Sequence, residues 1–156
     1  MSLTDWPDLA VEMSPVPVPR ETEATVSLPP LELLARRWNE IEPLLRKSTE
    51  RTCCYEPVDL LIMAGTGRVG VWLCMRGEAI DAVLVSQVTV YPRRKILEML
   101  FAGGSNMAAW RDLAVQALDK YARELGCTHV ACAGRPGWAR AWGGHPTGDI
   151  IMVREI

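Results

Sequence analysis

No stretch of the 156-residue chain reaches the roughly 18 consecutive apolar residues that a membrane-spanning helix needs. Its first residues, Ser2, Thr4 and Asp5 among them, lack a basic-then-apolar pattern, so no secretory leader is expected. Neither sign of charge dominates: 17 basic and 19 acidic side chains leave a net charge of −2. That balance argues against the basic footprint of a general nucleic-acid binder. The chain has no C-x-x-C pair. Of its five cysteines, Cys53 and Cys54 are adjacent, a poor start for a disulfide framework, while Cys74, Cys127 and Cys132 sit in apolar runs as small hydrophobes. An odd count fits a reducing compartment. His129 and His145 could join Cys127 and Cys132, but their spacing matches no zinc pattern, and no metal site is expected. No serine or cysteine at a strained elbow accompanies His145, which argues against a hydrolase triad. No internal repeat is apparent. What is present, 49% hydrophobic and 23% charged residues over about one domain length, is globular.

Residues 1–30 stand apart from residues 31–156. Six of the eleven prolines fall there, and Ser14-Pro-Val-Pro-Val-Pro19 is barred from helix by its missing donors and extended pre-proline residues. The spacing predicts a polyproline or extended arm. Two placements are open: docked on a neighbouring subunit, or folded back on its own domain with help from Trp6 and Leu9. The residues that would meet a partner are Trp6, Pro15, Val16, Pro17, Val18 and Pro19.

Beyond the arm, Leu31, Leu34, Ala35, Trp38, Ile41 and Leu45 recur at helical steps, with a kink or restart expected at Pro43. Val58 to Met63 fits one or two helical turns with Pro57 near the first position, or a short strand. From Val69 the period changes. Val69–Met75 reads as a buried strand. Ala79–Val90 reads as a second, with Ile80, Ala82, Leu84, Ser86, Val88 and Val90 on one face. Lys95–Phe101 reads as a third. Short turns make the three an antiparallel meander. After Gly103-Gly-Ser-Asn106, Trp110, Leu113, Ala114, Ala117, Leu118, Tyr121 and Leu125 line one face of a long helix. Ser105 or Asn106 can cap its start, and Gly126 stands where a left-handed stop belongs. Cys127–Ala133 reads as a buried strand, parallel to the one before the helix, with a right-handed crossover. A short helix within Gly134–Trp142, a loop at Gly143–Gly148 and a last strand at Asp149–Glu155 complete an α/β (α+β) chain. Two weaker candidates for anion contact remain. Tyr91-Pro-Arg-Arg-Lys95 is either a phosphate contact or a solvated hairpin tip. Arg135, Trp138 and Arg140 could stack on a ligand or bind an anion; otherwise Trp138 packs on the sheet while Arg135 pairs with an acidic neighbour.

An antiparallel meander leading into a strand–helix–strand unit resembles the GNAT acyltransferase fold. More narrowly, four segments are similar to a family of small GNAT-like proteins of tailed phages: Gly70-Val-Trp-Leu73, Phe101-Ala-Gly-Gly-Ser-Asn-Met107 with Trp110, Tyr121-Ala-Arg-Glu-Leu-Gly-Cys127, and Gly134-Arg-Pro-Gly-Trp-Ala-Arg140. The resemblance implies a mixed sheet, N-terminal helices and an acetyl-CoA site at the turn before the long helix. There the amides of Gly103, Gly104, Ser105, Asn106 and Met107 would hold the pyrophosphate. It also implies a general base at Glu98, whose alternative is a solvent-facing residue paired with Lys95 or Arg94. This chain departs from the family pattern in two ways. The usual leading Arg or Gln of the turn is absent. Trp138 and Trp142 stand where a proton-donating tyrosine is usual.

Three functions follow. The expected one is a virion-associated structural or assembly protein that needs no cofactor. It would dock on other virion or assembly subunits through residues 1–30, in the virion or host cytoplasm, with no membrane or direct nucleic-acid contact. The alternatives are an N-acetyltransferase using acetyl-CoA and a small regulatory binder of a host protein. Fold alone does not choose among them.

Overall fold

A computed structural model describes residues 23–132, 142–144 and 154–156. Trp6, the Pro15–Pro19 run, Arg135, Trp138, Arg140, His145 and most of the expected last strand lie outside the described residues. Nine elements follow in order: β1 (Ala24–Ser27), α1 (Leu31–Arg36), α2 (Trp38–Thr49), α3 (Pro57–Gly65), β2 (Gly70–Arg76), β3 (Ala79–Val90), β4 (Lys95–Gly104), α4 (Met107–Glu124) and β5 (His129–Cys132). The described strands form one sheet in sequence order. Every neighbouring pair is antiparallel except β4 and β5, which are parallel and joined through α4. The expected meander and strand–helix–strand unit are therefore both present, in a mixed α/β architecture.

Two apolar layers sandwich the sheet. On one face α1, α2 and α3 bury Leu34, Ile41, Leu45, Leu60 and Met63 against Val71, Leu73, Val83, Val85 and Phe101. On the other, α4 buries Trp110, Ala114, Leu118 and Ala122 against Trp72, Cys74, Ala82, Leu84, Leu97 and Met99. The four α4 residues recur at four-residue steps, the spacing that keeps side chains on one helix face. Leu113, expected on that stripe, is exposed. The helix stops as expected: Gly126 adopts φ 76°, and the amides of Gly126 and Cys127 close back onto the Arg123 and Ala122 carbonyls.

The structure corrects several sequence expectations. The helical break falls at Arg37, not Pro43, which sits inside α2. Proline removes a bond to the Asn39 carbonyl, but Asn39 is exposed, so water can take that place. Arg37 leaves helical geometry (φ −104°, ψ 16°), and its guanidinium donates to Glu40 at 2.7 Å and to the Glu78 carbonyl at 2.5 Å. The 57–65 segment is helix, started by Pro57 and a reciprocal Glu56–Asp59 capping box. Part of the stretch expected as an extended arm is an edge strand: β1 pairs with β2, and Val26 packs against the α4 layer.

Bulges change which face several residues take. Cys74 pairs with Ala82 but Met75 pairs with Ile80, so Asp81 is an extra residue in β3. One extra residue reverses the alternation, and Ile80 packs on the α1–α3 side, opposite Ala82 and Leu84. A second bulge leaves Leu100 without a partner, because Val85 pairs with Phe101 and Ser86 with Met99. Leu100 and Phe101 accordingly both face the α1–α3 layer. Finally, β5 is largely exposed rather than buried. Among the described strands it is the outermost and pairs with β4 alone.

Candidate functional site

The candidate site is built along β4 and the turn that follows it. Before the bulge, Leu97 and Met99 point into the α4 layer, so alternation places Glu98 on the α1–α3 face. Glu98 is half-buried, in register with Gln87 of β3 and Ala131 of β5. Its partner is neither Lys95 nor Arg94. The Tyr91 hydroxyl donates to Glu98 Oε1 at 2.7 Å, across a hairpin tip closed by the Tyr91 amide donating to the Arg94 carbonyl. Lys95 donates instead to the Leu125 carbonyl. Accepting the phenol's bond, the Glu98 carboxylate pushes the Tyr91 pKa above its ordinary value, so the phenol remains a neutral donor at physiological pH. Arg93 and Arg94 are exposed, as a solvated tip requires.

A cleft of about 510 Å³ opens at the end of the sheet where β2 and β4 begin. Gln87, Leu97, Ser86, Arg68 and Tyr121 line it, and it reaches the register partner of Glu98, although Glu98 itself is not in its wall. Its walls mix polar and apolar groups in similar measure.

At the other end of β4, the five residues expected to hold a pyrophosphate divide into separate roles. Gly103 and Gly104 are not a loop; they extend β4, opposite Val83 and Ala82. A Cβ on Gly103 would meet the Leu44 carbonyl oxygen at 2.0 Å, and one on Gly104 the Asp81 carbonyl oxygen at 2.3 Å. Both glycines thus admit neighbouring backbone of the same chain. The Ser105 amide is already used, donating to the Asp81 carbonyl at 2.9 Å. Asn106 stands at the N-cap of α4 but does not cap it. It takes a left-handed conformation (φ 60°, ψ 37°), and its side-chain amide donates to Asp81 Oδ2 at 3.1 Å. No side chain caps α4, so Met107 lies at a helix start whose first-turn donors have no side-chain acceptor. Trp110 Nε1 donates to the Ser105 carbonyl at 2.9 Å and fixes the turn from the core side.

Asp81 is the residue that sequence reasoning missed. It is 7% exposed, and beyond its bonds to the turn it accepts from Arg76 at 3.2 Å. The available signal was a single acid inside the apolar run of β3, where an unpaired carboxylate would be costly to bury. The bulge turns that carboxylate toward the turn it holds. Asp81→Ala is expected to remove about 1–3 kcal/mol of stability, because Asn106 and Arg76 each lose a charged acceptor. Urea unfolding would show it as a lower midpoint, and an unchanged midpoint would mean the turn stands without Asp81.

Among the described residues, no group of three or more His, Cys, Asp or Glu side chains could hold a metal. None of the described helices is long and apolar enough to cross a membrane. Of the tryptophans standing where a proton donor was sought, Trp142 packs against the α4 layer and Trp138 lies outside the described residues.

No family model and no curated protein matches the chain. Solved structures do. An aminoglycoside acetyltransferase from an uncultured soil metagenomic sample, in complex with sisomicin, superposes with a TM-score of 0.61 at 14% identity, over 85% of this chain and 94% of that one. A probable acetyltransferase gives 0.59 at 11% identity, over 86% and 98%. A transcriptional regulator from Bacillus halodurans C-125 gives 0.57 at 14% identity, over 86% and 100%. Identities this low speak to architecture alone, and the architecture they establish is the GNAT-like acetyltransferase fold.

Proposed function

We propose that the protein is an N-acyltransferase that takes its acyl group from acetyl-CoA, with Glu98 as general base. The observation that carries this reading is the placing of Glu98. It is an accessible carboxylate on β4, oriented by the Tyr91 hydroxyl, and the same strand leads into the uncapped start of α4. The acetyltransferase neighbours support it at the level of fold.

The first-turn donors of α4, beginning at Met107, supply amide N–H groups and the positive end of the helix dipole for the diphosphate. Glu98 lies six residues before Gly104, about 20 Å along a strand, so a ligand held at both ends must be long and extended. When bound, acetyl-CoA would supply an activated acetyl thioester. Glu98 would accept a proton from the incoming amine, and Tyr91 would keep the carboxylate turned toward it. The cleft beside Gln87 offers room for the amine.

A titration with acetyl-CoA tests the donor half. Calorimetry is expected to show micromolar binding of acetyl-CoA, displaced by free CoA. An absence of heat and of competition with free CoA would overturn the reading. The virion-component reading draws on Trp6 and Pro15–Pro19, outside the described residues, and no structure named above bears such a role in its name.

A further inference from the structure

The five cysteines differ in burial and in spacing. Cys74 is fully buried, and burial, aided by the nearby Asp81 charge, pushes its pKa up to about 12. Cys127 is buried too, while Cys132 is exposed at the end of β5, its pKa raised by partial burial. Cys53 and Cys54 are set apart by standing side by side in the chain. Both are exposed, in the turn between α2 and α3, and both line a cleft of about 280 Å³ with Arg46, Glu50, Tyr55, Glu56 and Asp59. Each thiol sits over a backbone carbonyl at 3.2 Å: Cys53 over Glu50, Cys54 over Thr52. Cys53 holds φ 53°, a region that L-residues rarely occupy.

We propose that Cys53 and Cys54 form a reversible thiol–disulfide site, oxidised by low-molecular-weight disulfides of the glutathione type. One thiolate attacks a sulfur of the incoming disulfide. The old S–S bond breaks, one small thiol leaves, and a mixed disulfide remains on the protein. The neighbouring thiolate then attacks the protein-side sulfur and displaces the second small thiol. The net exchange moves two electrons and two protons from the cysteine pair to the oxidant.

Geometry makes this bond a switch rather than a staple. Adjacent Cα atoms lie about 3.8 Å apart across a trans peptide, shorter than the usual Cα separation of roughly 4.4–6.8 Å for a disulfide. The bond is therefore strained, and strained, exposed disulfides are the readily reduced ones. Kinetically the second thiol is one residue away, so the resolving step is intramolecular and outruns release. Closing the ring must draw both sulfurs off their carbonyls. The next residue, Tyr55, meets Phe101 edge-on at 5.5 Å between ring centroids, so the movement would be felt at β4.

The chemistry can be read without any assumption about acyl transfer. The full-length protein is incubated with oxidised glutathione, quenched with acid, alkylated and digested with trypsin. Cleavage after Arg51 and Arg68 isolates a peptide holding both cysteines and no other. The expected product is that peptide two hydrogens lighter and unalkylated, restored by dithiothreitol. Cys53→Ser and Cys54→Ser should each stop at the glutathione adduct, which should survive at least about tenfold longer than in the wild type. Four results would overturn the proposal: a lasting adduct on the wild type, two thiols still alkylated, a cross-link between chains, or a product that dithiothreitol does not reverse.

Discussion

Gly103→Ala should destabilise the protein by about 3 kcal/mol, the upper end of what overpacking usually costs. The added methyl would sit 2.0 Å from the Leu44 carbonyl oxygen and 3.0 Å from its carbonyl carbon. Those are backbone atoms of α2, and no rotamer change can move them aside. Nor can α2 retreat cheaply. Ser48 donates to the Ala102 carbonyl at 2.6 Å, and Ile41 and Leu45 on either side of the contact are fully buried. The whole helix must lift, or β4 must bend. In urea the midpoint should fall while the slope stays constant, since the surface exposed on unfolding is nearly the same. Gly67 supplies the control. Its φ is 76°, but a Cβ there meets nothing within 4 Å, so Gly67→Ala should cost only about 1–2 kcal/mol, the penalty of a left-handed residue. Equal losses at the two positions would mean that α2 does not press on β4 as closely as the structure shows.

That contact also explains why the glycine pair was hard to interpret from sequence. Two glycines before a helix signal a turn or an anion cradle, and local chemistry cannot distinguish either from a strand that another helix crosses at short range. The partner, Leu44, is about sixty residues away. Period-based features were legible because they are local: the limits of β3, the face of α4, the Pro57 start and the Gly126 stop all depend on nearest neighbours. What escaped depends on pairing. Ile80 changes face because β2 skips Asp81, and Leu100 joins Phe101 on one face because β3 skips it. A bulge is a relation between two strands and leaves little trace in either alone. The site follows the same pattern. Glu98 comes from the resemblance, which implies a base on the strand before the long helix. Its partner Tyr91 was missed, because the tip of Tyr91-Pro-Arg-Arg94 draws attention to its charges rather than to its phenol. Asp81 was missed because its role is to hold a turn that lies next to it only in the folded sheet.

The largest functional effect is expected at Glu98. Glu98→Gln keeps the size of the side chain and an oxygen able to accept the Tyr91 bond, but removes the group that takes a proton. If Glu98 is the base, kcat should fall by about 10²–10⁴ while the KM for acetyl-CoA stays constant, since the proposed diphosphate contact would lie at the far end of β4. The measurement begins with a panel of primary amines, including aminoglycosides, followed by chromatography of the free CoA formed with the wild-type protein. The variant is then run on whichever amine is acetylated. Tyr91→Phe makes the reading more specific. It leaves the carboxylate in place and removes only the hydroxyl that orients it, so the loss should be smaller, about tenfold, and also confined to kcat. A mere packing role for Glu98 would reverse that order: glutamine, nearly isosteric, would keep full activity while loss of the phenol's bond loosened the hairpin. A wild-type rate in Glu98→Gln would therefore assign the proton transfer to another group, whatever the affinity for acetyl-CoA.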